Sequence, residues 1–251
     1  MAIHAAMIDR MDQEIGRILD KIREIGAWDN TILFFLSDNG ASAEIMIRGD
    51  MHDPDAHAGS AASYLCLGPG WSTAANTPFR RHKVWNHEGG ISTPLIVHWP
   101  KGIDKPGTLR HDLGHVVDIV PTLLDLLGID PPKQVRGASV PPYPGVSLLP
   151  AIQGSAQPVK RDYLYFTHEG NAALRVGDWK ILYTNTGKPK GNVPAERTTE
   201  AAGWSLYDLS TDRCEQIDLA TKQPERLNEM LEQWRKLNQT FREHAAKEVK
   251  E

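Results

Sequence analysis

Thr31-Ile32-Leu33-Phe34-Phe35-Leu36-Ser37-Asp38-Asn39-Gly40 joins an unbroken apolar run directly to a carboxylate and a carboxamide. A run of this kind, flanked by turn residues, predicts a strand covered on both faces, as in a parallel α/β sheet. Open α/β sheets place ligand chemistry just beyond the carboxyl ends of such strands. Asp38 and Asn39 stand there, and two adjacent oxygen donors suit a hard cation such as Ca²⁺ or Mg²⁺. Alone, Asp-Asn-Gly reads as a turn, because Asn and Gly tolerate left-handed backbone. The downstream sequence decides between the two.

That downstream stretch is Thr77-Pro78-Phe79-Arg80-Arg81-His82-Lys83-Val84-Trp85-Asn86-His87-Glu88-Gly89-Gly90, followed by Pro94-Leu95-Ile96-Val97-His98-Trp99-Pro100. The two prolines bound a short apolar strand, so the basic cluster lies on the loop that enters it. Tandem glycines permit a tight backbone path that a side chain would obstruct. Lys83 is a compact point charge suited to a tetrahedral anion. By itself the basic cluster reads as a solvated loop.

Taken together, these stretches resemble the sulfatase family, within the alkaline-phosphatase-like superfamily. The resemblance continues in family order through Val117-Asp118-Ile119-Val120-Pro121-Thr122, Ala173-Leu174-Arg175-Val176-Gly177-Asp178-Trp179-Lys180 and Leu206-Tyr207-Asp208-Leu209. It implies a partial alkaline-phosphatase-like α/β fold with a parallel-type sheet, then a small α+β subdomain of antiparallel strands and a terminal helix. It implies that Asp38 and Asn39 are the late pair of Ca²⁺ ligands. It implies that Lys83 is a catalytic and substrate-binding residue, holding the sulfate and helping neutralise the leaving group. Glu88, Gly89 and Gly90 match a segment that shapes the site and takes no chemical step. A fixed cation and an ammonium fit the chemistry, since sulfate-ester cleavage builds charge on nonbridging and leaving oxygens.

The chain also departs from the family pattern. Sulfatases carry an early aspartate pair that completes the metal site. They also carry a Cys-x-Pro-x-Arg or Ser-x-Pro-x-Arg signature whose first residue becomes formylglycine, the source of the nucleophile. Cys66 lies in Cys66-Leu67-Gly68-Pro69-Gly70 and Cys214 in Cys214-Glu215-Gln216-Ile217-Asp218, and neither fits. No serine supplies the alternative. The sequence therefore reads as the carboxyl-terminal part of an arylsulfatase-like enzyme, inactive alone, with formylglycine and the other metal ligands on an earlier segment. The resemblance places the intact parent in the periplasm or outside the cell.

Composition constrains partners rather than chemistry. A formal net charge of -4 over 251 residues gives no reason to invoke nucleic acid or an anionic membrane. No apolar run approaches the roughly 20 residues of a membrane span. Two cysteines specify no disulfide framework.

Ile3, Met7, Met11, Ile15, Ile18 and Ile22 recur at helical spacing and predict a packed amphipathic helix ended near Gly26. Residues 41 to 78 read as a long loop over the site. Within it, His52-Asp53-Pro54-Asp55-Ala56-His57 matches no zinc spacing. Asp118 is placed to cap a helix with Pro121 in its first turn. A Pro- and Gly-rich stretch follows from Pro131 to Pro150. Beyond it come short antiparallel strands, with Gly177-Asp178 as a hairpin turn, and a last helix from Pro224 presenting Leu227, Met230, Leu231 and Trp234 to a core. His168-Glu169-Gly170-Asn171 lies between strands and receives no role. The expected division is 1–155 for the catalytic α/β part and 156–251 for the α+β subdomain.

The leading functional expectation is hydrolysis of a sulfate ester by the intact parent. The alternatives are a phosphatase or phosphodiesterase of the same superfamily, and a noncatalytic interaction module or decayed gene product. The first would need further His and Asp ligands, which the sequence does not offer. With strand neighbours missing, residues 1–40 are also expected to drive self-association.

Overall fold

A computed structural model describes residues 1–45, 52–140, 143–155, 157–185 and 203–248. The chain forms two compact units. One comprises Met1–Ala5, Asn39–Thr93 and Asp162–Glu251; the other comprises Ala6–Asp38 and Pro94–Arg161. Residues 39–93 thus group with the carboxyl-terminal strands, a grouping that sequence order conceals.

The first unit is built on a four-stranded antiparallel sheet. Strands β5 (Leu164–His168), β6 (Asn171–Val176), β7 (Trp179–Tyr183) and β8 (Trp204–Asp208) lie in sequence order. Gly177 (φ 57) turns β6 into β7, pairing Val176 with Trp179 as the Gly-Asp signal predicts. Period-two alternation gives this sheet two apolar faces. Ala172, Leu174, Ile181, Trp204 and Leu206 face the terminal helix α6 (Pro224–Glu248), which buries Leu227, Met230, Leu231 and Trp234. Ala173, Leu182, Tyr207 and Leu209 form a second cluster. The same unit contains α2 (Gly68–Asn76) and the single-turn helix α3 (Glu88–Ile91).

The second unit contains most of α1 (Ala2–Glu24), strands β1 (Leu33–Leu36) and β2 (Leu95–His98), helix α4 (Ile119–Leu127), a small hairpin of β3 (Gln134–Val135) and β4 (Ala138–Ser139), and α5 (Leu149–Gln153). Here the structure corrects the expected parallel-type sheet. β1 pairs antiparallel with β2, placing Phe35 opposite Ile96, and no parallel ladder occurs among the described residues. An apolar run reports a tendency to be buried, not the direction of the neighbouring strand. Nor are both faces covered, since Phe35 is 48% and Ile96 58% exposed.

The expected packing of α1 is corrected too. The helix forms at the predicted place, but it has no buried residue, and Met7, Met11, Ile18 and Ile25 are exposed. Exposed Arg10–Glu14, Arg17–Glu14 and Arg23–Asp20 pairs line its polar side. Asp118 occupies the N-cap position of α4, yet its side chain does not cap that helix. It is fully buried and accepts hydrogen bonds from the amides of His115 (2.6 Å) and Val146 (2.9 Å), while Arg161 pairs with it. Among the described residues no helix is long and apolar enough to cross a membrane.

The fold is most sensitive at Trp234. It is 2% exposed and packs edge-on to Trp204 with ring centroids 5.1 Å apart. Its indole N–H has no hydrogen-bond partner among the described residues. Trp234→Ala should destabilise by about 3–5 kcal/mol. Trp234→Phe, which keeps most of the ring and removes the orphaned donor, should lose less than about 1.5 kcal/mol. Urea unfolding followed by circular dichroism measures both.

Candidate functional site

The segment after Asp38 is held by close main-chain packing. Asp38 is exposed and ends one unit; Asn39, half-buried, begins the other. Gly40 donates its amide to Gly90 O at 3.0 Å. A Cβ at Gly40 would lie 1.8 Å from Gly89 O; one at Gly89, 2.3 Å from Arg80 O; one at Gly90, 2.0 Å from Trp85 O. All three contacts are with backbone, which cannot step aside. The glycines therefore serve backbone approach, as the tandem pair suggests from sequence.

The same segment is tied to Lys83. The Lys83 amide donates to Ala41 O at 3.1 Å. Asn76, the last residue of α2, accepts from the Ala41 amide at 2.9 Å and donates to Arg81 O at 3.2 Å. Gly40, Ala41 and the Lys83 loop thus belong to one hydrogen-bonded assembly inside the first unit. Asn76 carried no sequence signal beyond its place before Thr77-Pro78.

Behind this assembly lies a buried ion cluster. Lys180 of β7 is fully buried, with Nζ 2.9 Å from Glu88 Oε1 and 2.7 Å from Glu215 Oε1. The Glu88 amide donates to Glu215 Oε2 at 2.8 Å, and Arg213 reaches Glu88 Oε2 at 3.1 Å. Arg80 donates a guanidinium N–H to the Glu215 carbonyl. Burial works against ionising Glu88, but Lys180, Arg175 and Arg213 outweigh it and hold the carboxyl below its usual range. Burial dominates at Glu215 and pushes its carboxyl up, despite Lys180. One ammonium thus serves two unequal carboxylates. His87, only 4% exposed, is pushed down to about 3 by burial and by the nearby charges of Lys180, Arg80 and Arg81.

The family model for sulfatases matches residues 1–129, and that for the carboxyl-terminal part of N-sulphoglucosamine sulphohydrolase matches residues 80–243. An uncharacterized sulfatase of Schizosaccharomyces pombe is 33% identical over 247 residues, covering 93% of this chain and 42% of the relative. This chain belongs to the sulfatase family. The arylsulfatase of Klebsiella aerogenes is 36% identical over 160 residues, covering 59% of this chain and 34% of that enzyme. Among solved structures, a Bacteroides thetaiotaomicron protein studied for glycosaminoglycan metabolism matches with a TM-score of 0.62 and 24% identity, covering 90% of this chain and 43% of its own. Ps i-CgsB in complex with k-i-k-neocarrahexaose matches at 0.63 and 21%, covering 93% and 42%. These likenesses establish the fold. The chain spans less than half the length of the relatives it matches.

Within this sulfatase chain, Lys83 lies in the assembly that holds Gly40 and Ala41, and Asp38 and Asn39 immediately precede that pair in sequence. A carboxylate and a carboxamide oxygen fit Ca²⁺ in kind, though two donors fall short of the roughly six to eight that ion takes. Among the described residues no group of three or more His, Cys, Asp or Glu gathers as a metal site. The His52–His57 segment is ordinary loop chemistry. His52 Nδ1 accepts the Tyr64 amide at 3.0 Å, and Asp53 accepts the Asp55 amide at 2.9 Å. The sequence missed Lys180 and Glu215 as partners of Glu88, because surface-type residues inside a strand and after a turn carry no sign of burial.

Two outcomes test the cluster. Lys180→Met leaves two buried carboxylates without their ammonium and should destabilise by about 3–5 kcal/mol, whereas Arg213→Ala, which removes a side chain 46% exposed, should lose no more than about 1 kcal/mol. Denaturant titration at pH 7 measures both. His87 gives a pH signature. Its folded-state value lies below that of the unfolded chain, so between about pH 6.5 and 3 the unfolded state binds more protons and stability falls as pH falls. His87→Gln should flatten the stability profile in that window by up to roughly 1.4 kcal/mol per pH unit. Thermal melts from pH 7 to 4 read the slope.

Proposed function

We propose that this chain carries the later part of a sulfate-ester hydrolase site. In this reading Asp38 and Asn39 are two of the oxygen ligands to Ca²⁺, and Lys83 binds the sulfate. The supporting observation is the hydrogen-bonded assembly that joins Gly40 and Ala41, the residues directly after Asn39, to Lys83, within the region matched by the sulfatase family model. Likeness to the Klebsiella arylsulfatase supports R-O-SO₃⁻ as the substrate class, with an arylsulfatase-like preference.

The Lys83 ammonium would donate to a nonbridging or leaving oxygen. It would act most strongly as the R-O bond to sulfur lengthens and negative charge moves onto the departing oxygen. A bound divalent cation would polarise a sulfate oxygen. Asn76 and the interlocked glycines would fix the approach of Lys83. The nucleophile has no source in this chain, since neither Cys66 nor Cys214 lies in a Cys-x-Pro-x-Arg signature. That absence also supports a noncatalytic role for the 251-residue chain taken alone. The same family reading supports a periplasmic or extracellular location. The exposed Met7, Met11, Ile18 and Ile25 support self-association of the isolated chain, which sedimentation velocity on a Met11→Glu/Ile18→Glu variant would test by its return to monomer.

The pure chain should not hydrolyse 4-nitrophenyl sulfate, because stabilising groups lower a barrier only where an attacking group is present. Turnover that disappears in Lys83→Ala would overturn this. Ca²⁺ should bind weakly, and a submicromolar calorimetric site abolished by Asp38→Ala would contradict the incomplete ligand set. In a sulfatase that carries this segment with a complete ligand set, Asp38→Ala should remove both metal and activity.

A further inference from the structure

Lys83 sits on a loop whose backbone is held in an unfavourable shape. Arg81 has φ 67 and Val84 has φ 86. Both lie in the left-handed region, which disfavours any residue with a Cβ and most of all a β-branched one. Residues persist in such conformations only where their surroundings over-determine them. At each position a carboxamide from elsewhere in the first unit binds the residue's carbonyl. Asn76 donates to Arg81 O at 3.2 Å, and Asn171 donates to Val84 O at 3.3 Å.

We propose that Asn76 and Asn171 are positioning residues for Lys83, clamping the left-handed carbonyls of Arg81 and Val84 that bracket it. The functional weight of this rests on reading Lys83 as the sulfate-binding cation; the conformational claim does not. Asn171 is well placed for the task. It is 5% exposed, opens β6 within the rigid four-stranded sheet, and forms the closing pair of the β5–β6 hairpin with His168. Its amide group also donates to His168 O at 3.2 Å, and its oxygen accepts the Asn185 amide at 3.0 Å. The carboxamide therefore cannot swing away from Val84 without breaking two further bonds. Asn76 is fixed likewise by its bond from the Ala41 amide. The loop is thus gripped from a helix end on one side of Lys83 and from a strand start on the other. Between them, Lys83 N–H bonds Ala41 O and Trp85 N–H bonds His82 O, both at 3.1 Å.

A rescue cycle separates positioning from general structural support. Glycine adopts the left-handed region freely, so a loop with glycine at position 84 has no steric reason to leave its shape when the clamp is lost. In the full chain, Asn171→Ala should speed amide exchange at Lys83 and Trp85 by about tenfold, the loss of one net hydrogen bond. Asn171→Ala/Val84→Gly should return to within about threefold of the parent rates. Unchanged exchange in Asn171→Ala, or faster exchange that Val84→Gly does not reverse, would overturn the proposal. If Asn171→Ala fails to fold, the equivalent cycle of Asn76→Ala with Arg81→Gly decides it by the same readout. Titration with inorganic sulfate reads the functional half. Affinity should vanish in Lys83→Ala, weaken about tenfold in Asn171→Ala, and recover in the double variant. Equal sulfate binding by the parent and Lys83→Ala would sink the role given to Lys83, while the exchange arm would still decide whether the clamp exists.

Discussion

The first unit depends on where the Lys180 ammonium goes. A fully buried lysine inside a strand must find anions, and it finds Glu88 and Glu215, residues distant from it and from each other in sequence. That requirement draws the start of α3 and the turn after β8 onto the sheet. Glu88 cannot take its place without Gly89 and Gly90 following, and their lack of side chains lets the chain lie against Arg80 O and Trp85 O. Gly40 then packs on Gly89, and Ala41 accepts the Lys83 amide.

A cluster of this kind contributes more to uniqueness than to net stability. Desolvation of buried charges offsets much of their mutual attraction, and an apolar replacement of the whole set is often no worse. An apolar replacement, however, would accept many neighbours. Lys180 accepts only a register that presents two carboxylates within about 3 Å, one of which also takes the Glu88 amide. The unequal carboxyls follow from the same arithmetic. Glu88 gathers Lys180, Arg175 and Arg213 and stays ionised, while Glu215, with fewer cations to offset its burial, is raised. The alternating charge at this seam is what lets two loops meet without a hydrophobic interface.

Elements whose stabilising contacts are close in sequence were the legible ones. The β6–β7 hairpin follows from Gly177-Asp178 and from period-two alternation. The α6 stripe of Leu227, Met230, Leu231 and Trp234 follows from helical spacing, and all four are buried. The tandem glycines were legible as close backbone approach, though not the partners they approach. The direction of β2 against β1 was not legible, since apolar character is the same for either orientation. Asp118 was misread in an instructive way. Its position before α4 is that of a cap, but its carboxylate is taken by His115, Val146 and Arg161 from outside the helix. Asp38, Asn39 and Lys83 were singled out by a pattern of motifs, whereas Asn76 and Asn171 were not, because a carboxamide that binds a distant carbonyl leaves no local periodicity.

The two units spend their apolar residues differently, and this bears on what each asks of its surroundings. Both buried clusters of the first unit combine a sheet face with residues local to it, so its core is complete within its own segments. Among the described residues of the second unit, the buried apolar ones are Leu148, Ala151 and Ile152, beside the polar hub of Asp118 and Arg161. Its longest helix and its β1–β2 pair present Met11, Ile18, Phe35 and Ile96 to solvent. A two-stranded sheet is marginal without a third strand or a covering helix, and its outer edges carry unpaired backbone groups. Stability along the chain is uneven by construction: the unit that contains Lys83 holds its shape through its own core, and the strand that leads to Asp38 does not.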